Sequence, residues 1–416
     1  MTDLSVDARL LASEREPVPH INASVVIAAS AVLAAGSMAL ANAYSWRQGA
    51  LFLVGGALGI VLYQALFGFT SAWRVFIADG RGAGLRAQML MLAVAAVLFL
   101  PALAHGSLFD QPVHGAYRAV SIAVLAGAFL FGVGMQLGGG CASGTLYTLG
   151  GGNTRMLVTL AFFIVGAAFG AWHLPWWSAL PNAGPISLVS SWGWALALGV
   201  SLAGFAAITA LTVVIERRRH GALRSGVVTD RHGWRRFLHG PWSLAAGAVA
   251  LALANFATLY LAGRPWSVAS AFVLWGSKIF AASGIDVGAW GYWHSPAGAK
   301  ALQDSVFADV TSVMNFGIIL GALLASGLAG KFHPSWKVPS RSLMAAVLGG
   351  LMLGYGSALA GCNIGSYFSG IASASVHGWL WLFAAFLGSV LGTYLRPWFG
   401  LSVEGKLSLS RFRRLN

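Results

Sequence analysis

FGVGMQLGGGCASGTLYTLGGG, residues 131–152, places a cysteine among glycines and hydroxyl side chains inside an otherwise apolar region. The cysteine is Cys141, and the chain of 416 residues has one other, Cys362, in GYGSALAGCNIGSYFSG, residues 354–370. The two stretches share the motif Gly-Cys-x-x-Gly, formed by Gly140, Cys141 and Gly144 in the first and by Gly361, Cys362 and Gly365 in the second. A repeat that reproduces so scarce a residue predicts two halves that meet at one site.

The hydroxyl residues that follow each cysteine are repeated as well. Thr145 and Thr148 correspond to Ser366 and Ser369, and the spacing of three puts each pair on one helix face. Glycines at this density interrupt a helix, because each costs about 1 kcal/mol relative to alanine. Each cysteine is therefore predicted at a helix break, followed by a short half-helix whose free N–H groups favour an anion. The residues expected to cap these half-helices are Ser143 or Thr145 in the first half and Asn363 in the second.

The composition indicates a polytopic membrane protein. Hydrophobic residues make up 57% of the chain and charged residues 9%, and the mean hydropathy is +0.72, which is too apolar for an ordinary soluble domain. The net charge of +14 lies mainly in connecting loops, which argues against a nucleic-acid-binding protein. Histidines near span ends, among them His377, lack metal-ligand spacing and are expected at the membrane interface. No metal, cofactor or catalytic group is predicted.

Apolar runs of about 20 residues, the length that crosses roughly 30 Å of hydrocarbon, predict ten spans. They cover residues 21–43, 49–69, 86–105, 118–139, 154–174, 191–215, 242–263, 310–330, 342–361 and 376–399. The basic loop 216–241 is expected in the cytoplasm, because lysine and arginine favour that side of a membrane. The stretch 266–284 is predicted to be re-entrant, since only then do the later basic segments also lie in the cytoplasm. Its counterpart in the first half is residues 69–77.

The predicted fold class is an all-α polytopic membrane protein, built from two inverted repeats with broken or re-entrant helices. The chain divides into a cytoplasmic N-terminal segment (1–20), a first span plus the first repeat (21–190), a linking span with the basic cytoplasmic loop (191–241), the second repeat (242–399) and a basic cytoplasmic tail (400–416). Both termini are then expected in the cytoplasm.

A purely structural explanation stays open for each of these features. GxxxG spacing commonly marks close helix packing, and a buried cysteine commonly fills a small apolar space. The presence of two matched copies favours a functional site. Arg74 and Lys278, in the two segments that do not cross, are candidates for raising the local anion concentration at the two mouths of a pathway. Such side chains also extend to lipid headgroups.

Three segments carry a resemblance to a known family. GGGCASGTLYTLGGGNTR (138–155), GRPWSVASAFVLWGSK (263–278) and AGCNIGSYFSG (360–370) resemble the YeeE/YedE family of bacterial inner-membrane proteins. The resemblance implies import of thiosulfate, passed along pore cysteines by transient hydrogen bonds, with Cys141 and Cys362 as the relay residues. It also implies a location in the lipid of the bacterial inner membrane and a small cytoplasmic TusA-like sulfurtransferase as a partner.

One departure from the family pattern concerns the first re-entrant segment. Thiosulfate importers of the family carry a further cysteine there, where this chain has Phe69, Thr70, Ser71 and Ala72. Another sulfur oxyanion, sulfide or a selenium compound therefore stays open as the substrate.

The leading hypothesis is an uptake transporter for a small sulfur-containing anion, thiosulfate in the first place. A cysteine is ordinarily an uncharged thiol at neutral pH, so it donates a weak hydrogen bond without repelling an anion. One alternative is a membrane thiol oxidoreductase, which needs thiols close enough to cross-link, and another is a channel for water or a neutral gas. The candidate site residues are Cys141, Cys362, Gly140, Gly144, Gly361, Gly365, Asn363, Thr145, Ser366, Lys278 and Arg74.

Overall fold

The computed structural model describes residues 20–224, 233–334 and 336–405. Parts of three expectations lie outside these ranges. They are the N-terminal segment 1–20 apart from its last residue, Arg231 in the basic loop, and the basic tail from Lys406 onward.

Helices form most of the described structure, as expected for long apolar runs that must satisfy their backbone within a membrane. The first half contains α1 (Ala23–Ala43), α2 (Trp46–Gln64), α3 (Phe69–Asp79), α4 (Ala83–His105), α5 (Ile122–Gly138), α6 (Ala142–Gly150) and α7 (Arg155–Ser178). The connecting segment contains α8 (Leu188–Trp192), α9 (Trp194–His220) and α10 (Gly233–His239). The second half contains α11 (Leu244–Ala262), α12 (Ala269–Ala282), α13 (Pro296–Gln303), α14 (Val310–Leu328), α15 (Ser340–Ala360), a π-helix (Asn363–Phe368), α16 (Ser369–Ala372) and α17 (Val376–Leu395).

Short strands occur only in connections within the described ranges. β1 (Ser107–Leu108) pairs with β2 (Gln111–Pro112), and β3 (Ala119–Ser121) pairs with β4 (Asn182–Pro185), both antiparallel. The fourth span was predicted to begin at residue 118, but pairing with β4 keeps residues 119–121 extended. The helix α5 therefore begins only after its N-cap Ser121, whose Oγ accepts a hydrogen bond from Val124 N.

Ten helical stretches in the described part of the chain are long and apolar enough to cross a membrane. This confirms the predicted number of spans and the all-α polytopic class. The helix α12 has 14 residues, and at about 1.5 Å per residue it is about 21 Å long, which is shorter than the roughly 30 Å hydrocarbon core. Its length agrees with a segment that does not cross.

The end of α9 corrects one expectation. The sixth span was predicted to stop at residue 215, but the helix continues to His220 and holds Arg217–Arg219 in its last turn. Glu216 stabilises this turn, because its buried carboxylate accepts hydrogen bonds from Arg86 Nη1 at 2.7 Å and from Gly82 N at 3.1 Å. Arginines in the last turn also complement the partial negative charge of a helix C-terminus.

The same order of long and short helices occurs in both halves. The helices α2, α3, α4, α5, α6 and α7 correspond in order to α11, α12, α14, α15, the π-helix with α16, and α17. Contacts between the halves are reciprocal, since α5 packs on α17 as α15 packs on α7, and α2 packs on α14 as α11 packs on α4.

Glycines bring the central helices into backbone contact. Gly127 of α5 lies against Gly356 of α15, and Gly134 lies against Gly349, so residue numbers rise along one helix as they fall along the other. The equivalent helices α5 and α15 are therefore antiparallel, as an inverted repeat requires. The inverted relation of the complete halves stays a prediction.

Candidate functional site

The first cysteine lies at a break between α5 and α6. Gly139 has a φ of +90°, a left-handed conformation that favours glycine and ends α5. Cys141 is extended and is the N-cap of α6, because its Sγ accepts a hydrogen bond from Gly144 N at 3.4 Å. The same sulfur lies 3.6 Å from Ser143 Oγ, and the residue is 1% exposed. The sulfur therefore faces the protein interior rather than lipid.

The capping residues differ from those predicted. Cys141 caps α6, because it is the extended residue that directly follows the glycine run, and Thr145 Oγ1 donates back to the carbonyl oxygen of Cys141 at 2.9 Å. Asn363 begins the π-helix and caps nothing there. Within the described ranges its amide oxygen and nitrogen both lack a hydrogen-bond partner, although the residue is fully buried.

The second cysteine lies at the matching break between α15 and the π-helix. Gly361 has a φ of +78°, and Cys362 is extended and 1% exposed. Ser366 Oγ donates to the carbonyl oxygen of Ala360 at 2.6 Å across the break. A π-helix is rare and is frequently found at functional sites. The two halves therefore place their cysteines in the same local setting, with a different helix type after each.

The motif glycines leave room beside the breaks. A Cβ on Gly361 would overlap Ser366 Oγ, and a Cβ on Gly144 would lie 3.3 Å from Cys141 Sγ. The equivalent atom would lie 2.9 Å from Thr145 N at Gly140 and 3.2 Å from Ser267 Oγ at Gly365. Side chains at these positions would crowd the sulfur or the backbone around it.

The hydroxyl groups of the repeat hold the backbone of the breaks. Thr145 and Ser366 each donate to a carbonyl oxygen beside a cysteine, and Ser369 Oγ donates to the carbonyl oxygen of Trp266 at 2.7 Å. Each hydroxyl has one proton, and in these three residues that proton is donated to a backbone carbonyl oxygen. These hydroxyls therefore have no proton left to donate to another group.

A cavity of about 260 Å³ lies beside the second break and is called here the Cys362 cavity. It is lined by residues 115–118, 264–267, 269, 270, 273, 292, 357, 361, 362, 365, 366 and 377. Arg118 and Arg264 are exposed at this cavity. Trp266 Nε1 and His377 Nε2 are buried and have no hydrogen-bond partner among the described residues. The Cys362 cavity thus combines a thiol, two guanidinium groups and unpaired buried polar atoms.

A larger cavity of about 820 Å³ is called here the Gln88 cavity. It is lined by residues 65–68, 71, 72, 75, 81, 83, 84, 86–88, 90, 224, 236 and 241–245, among which are four arginines. Gln88 of α4 is 1% exposed, and its Oε1 accepts hydrogen bonds from Trp73 Nε1 at 2.9 Å and from Tyr367 Oη at 3.2 Å. The arginines that line the Gln88 cavity come from the basic loop 216–241 and from residues 81–86, which follow α3.

The two cysteine segments meet between the cavities. The helix α6 contacts the π-helix, and Tyr367 at the far end of the π-helix reaches Gln88. From α6, Tyr147 Oη comes within 3.5 Å of the Cβ position of Gly68, which lines the Gln88 cavity. Buried aromatic rings close the centre, with Tyr367 stacked on Trp381 at a centroid distance of 6.2 Å. The helices that follow the two cysteines are therefore in contact, and Cys362 lines one cavity whereas Cys141 lines neither.

The sulphur transport family model matches residues 64–391 of the chain, which include both cysteine breaks and all lining residues of both cavities. The chain belongs to the sulphur transport (YeeE/YedE) family. This confirms the predicted resemblance and supports the transport of sulfur-containing anions.

Two named transporters are similar over most of the chain, and a third is similar over less than half of it. The thiosulfate transporter TsuA of Spirochaeta thermophila is 26% identical over 355 residues, which cover 83% of this chain and 97% of that protein. TsuA of Escherichia coli is 24% identical over 363 residues, which cover 83% of this chain and 94% of that protein. The probable transporter YedE of Escherichia coli is 26% identical over 178 residues, covering 41% and 43%. The family and these names indicate a transporter and not an enzyme.

The two basic residues predicted at the mouths have partners in this sulphur transport family member. Arg74 donates to both carboxylate oxygens of Glu404, at 2.9 Å from Nε and 2.8 Å from Nη2. Lys278 Nζ donates to the carbonyl oxygens of Leu302 and Asp304, each at 2.6 Å. Neither side chain lines the Cys362 or the Gln88 cavity. Both fasten connecting segments to the short helices α3 and α12.

The sequence analysis missed several residues that the structure brings to these cavities. Arg118 and Gln88 carried no local signal, because they are separated in sequence from both cysteine motifs. His377 was predicted at the interface, but it is fully buried and lines the Cys362 cavity, with Nδ1 2.7 Å from Ser375 Oγ. Arg264 and Trp266 could have been found from the sequence, since both lie in GRPWSVASAF, a segment that supports the family resemblance.

Proposed function

We propose that this chain imports thiosulfate across the bacterial inner membrane. The anion enters the Cys362 cavity, passes the thiols of Cys362 and Cys141 in turn, and leaves through the Gln88 cavity. The observation that carries this proposal is the matched pair of free, buried cysteines at helix breaks, whose following helices are in contact, together with two arginine-lined cavities, one of which is lined by Cys362. Similarity to TsuA proteins over most of the chain supports thiosulfate as the substrate.

The Cys362 cavity has the chemistry of an anion entrance. Arg118 and Arg264 raise the local concentration of anions, because charged groups at the mouth of a narrow cleft attract opposite charge. Inside it, the indole N–H of Trp266 is a donor without a partner in the described part of the chain. Asn363, directly after Cys362, has an amide group without a hydrogen-bond partner among the described residues. A thiosulfate oxygen would satisfy such donors, which otherwise reduce stability when buried.

The thiols suit the narrow centre of the pathway. An uncharged S–H group donates a weak hydrogen bond and places no negative charge beside the anion. Passage requires binding that is strong enough to admit the ion and weak enough to release it. Two weak donors in series meet this requirement better than a buried arginine, which would hold a dianion.

Orientation follows from the distribution of basic residues. Arg81, Arg86, Arg224 and Arg236 line the Gln88 cavity, and an excess of arginine marks the cytoplasmic side of a membrane protein. The Gln88 cavity then opens to the cytoplasm, and both chain termini lie there. We also propose a TusA-like sulfurtransferase at this opening, where it would take up the sulfur.

The inverted repeat explains how one site is reached from both sides. The antiparallel pairing of α5 with α15 and the reciprocal contacts of the two halves support this arrangement. The predicted division into a first repeat (21–190, with the first span), a linking region (191–241) and a second repeat (242–399) is kept in this proposal. Only 17% of the most apolar stretch of α1 and of α9 is buried within the protein. We therefore place these two helices at the lipid, beside the two repeats.

The test is uptake of radiolabelled thiosulfate by purified protein in liposomes. Cys141→Ala and Cys362→Ala should each abolish uptake while the proteins insert and fold. Ser389→Ala is the matched control, because it removes a buried polar atom, bonded to the Gly132 carbonyl oxygen, outside both cavities. Wild-type uptake in both cysteine variants would exclude the relay. If sulfite, hydrosulfide or selenite inhibits the uptake of labelled thiosulfate more strongly than unlabelled thiosulfate does, that species is the preferred substrate instead.

A further inference from the structure

Gln88 is held in one orientation by its neighbours. The indole N–H of Trp73 can only donate a hydrogen bond, so the amide atom that faces it must be Oε1. Tyr367 Oη also lies on Oε1, at 3.2 Å. The amide nitrogen Nε2 is thereby turned away from both rings, and within residues 20–224, 233–334 and 336–405 it has no hydrogen-bond partner.

Gln88, which carries this unpaired and buried donor, lines a positively charged cavity. Gln88 lines the Gln88 cavity with Arg81, Arg86, Arg224 and Arg236, and none of the described lining residues is acidic. Arg81 and Arg86 are paired with Asp79 and Glu216, which do not line the cavity. A buried donor in positive surroundings is satisfied best by the oxygen of an anion.

Gln88 is also connected to the cysteine pathway. Tyr367 lies in the π-helix, five residues after Cys362, and its backbone N donates to the Cys362 carbonyl oxygen at 3.4 Å. Trp73, the other partner of Gln88, contacts Tyr367 with ring centroids 5.8 Å apart. Gln88 therefore lines the Gln88 cavity and is linked, through Tyr367, to the π-helix that follows Cys362.

We propose that Gln88 is an anion-binding station at the inner end of the pathway, where Nε2 donates a hydrogen bond to an oxygen of the passing sulfur oxyanion. This inference rests on the proposed transport function and adds a specificity-determining residue to it. An amide N–H donates a stronger hydrogen bond to an oxyanion oxygen than to sulfur, which is a weak acceptor. The station therefore favours oxyanions of sulfur over hydrosulfide.

The sharpest variant is Gln88→Glu. A glutamate keeps an acceptor oxygen for Trp73 and Tyr367 and replaces the donor by a second, negatively charged oxygen. Gln88→Met removes the donor without adding charge. It tests the role of the amide donor if the glutamate of the first variant takes up a proton or prevents folding. Gln48→Glu and Gln48→Met are matched controls, because Gln48 is another buried glutamine whose Nε2 donates to the Phe307 carbonyl oxygen outside both cavities.

Equilibrium binding of radiolabelled thiosulfate is measured in a Cys362→Ala background, which removes the thiol of the other cavity. Both Gln88 variants should bind at least about tenfold more weakly, the loss expected for one hydrogen bond to a charged group. The Gln48 variants should bind as their parent does. In the wild-type protein, thiosulfate should bind more tightly than hydrosulfide.

The outcomes separate this inference from the transport proposal. Absence of thiosulfate uptake by the wild-type protein would refute the transport proposal whatever Gln88 does. Normal uptake with the expected cysteine defects, but parental affinity in a folded Gln88→Met protein, would refute the Gln88 station alone. Equal affinity of wild-type protein for hydrosulfide and thiosulfate would also refute it.

Discussion

The sulfur of Cys141 serves as a helix cap, which predicts that its removal affects stability and transport separately. Sγ accepts a hydrogen bond from Gly144 N at 3.4 Å, and this N–H belongs to the first turn of α6, where no helix carbonyl is available. Cys362 occupies the equivalent place, but its side chain makes no cap hydrogen bond. The two cysteines thus form an internal comparison, since both are 1% exposed and only one caps a helix.

The size of the effect follows from that difference. Replacing either cysteine by alanine deletes one buried sulfur, so this loss is similar in the two variants. Cys141→Ala additionally leaves a buried N–H without a partner, and the loss of an N-cap typically costs about 1 kcal/mol. Cys141→Ala should therefore be less stable than Cys362→Ala by about 1 kcal/mol. Cys141→Ser should recover the cap, since serine is among the preferred N-cap residues.

Unfolding by SDS in mixed micelles, followed by circular dichroism, measures these differences in the free energy of unfolding. Uptake of labelled thiosulfate is measured on the same preparations. We expect Cys141→Ser to match the wild type in stability and to fail in uptake, because its hydroxyl replaces the cap but not the thiol. Equal stability of the two alanine variants, or a serine variant as unstable as Cys141→Ala, would refute the capping role.

Two further predictions concern backbone conformation and pH. Gly361→Ala should lower the free energy of unfolding by at least about 1–2 kcal/mol, because its φ of +78° is left-handed and the new Cβ would meet Ser366 Oγ; Gly199→Ala, with open space at its Cβ position, should be neutral or stabilising in the same assay. Burial of the Glu404 carboxyl opposes its ionisation, but hydrogen bonds and charge from Arg74 outweigh burial and lower its pKa. The contact between α3 and residue 404 should therefore be intact above the ordinary pKa of a glutamate and be lost as the pH falls through the lowered value. Amide exchange at residues 400–405 measures this loss, and Glu404→Gln should remove its pH dependence.

The spans and the breaks could be predicted because their signals are local. Run length and apolar composition identify a span, and the glycines around Cys141 and Cys362 identify a break, without knowledge of any distant residue. The short length expected for α12 came from charge balance among the loops. The end of α9 was misplaced because Glu216 begins a charged stretch in the sequence, but its charge is neutralised by Arg86 from a distant part of the chain.

The polar part of the site depended on contacts that sequence does not contain. Tyr367 and Gln88 are 279 positions apart in the chain, yet their side chains form a hydrogen bond. A lone glutamine in an apolar helix has the same pattern whether it lines a cavity or joins two helices. The cap of α6 was assigned to a hydroxyl residue for a similar reason, since capping preference favours oxygen, whereas the break geometry places sulfur at the N-cap.

Most of the unpaired polar atoms in the described part of the chain lie towards the two ends of the proposed pathway. The described residues hold nine buried side-chain atoms without partners, and six of them lie on residues at or next to the two cavities: on Trp266, Asn363 and His377 near Cys362, and on Thr70 and Gln88 near the arginine-lined exit. In the proposed pathway the two thiols, which are weak donors, lie between these groups. An anion held too firmly at the centre would block the path, whereas firmer binding at the ends promotes entry and release to an acceptor. Replacing a central thiol by a stronger donor should therefore slow passage even when it tightens binding.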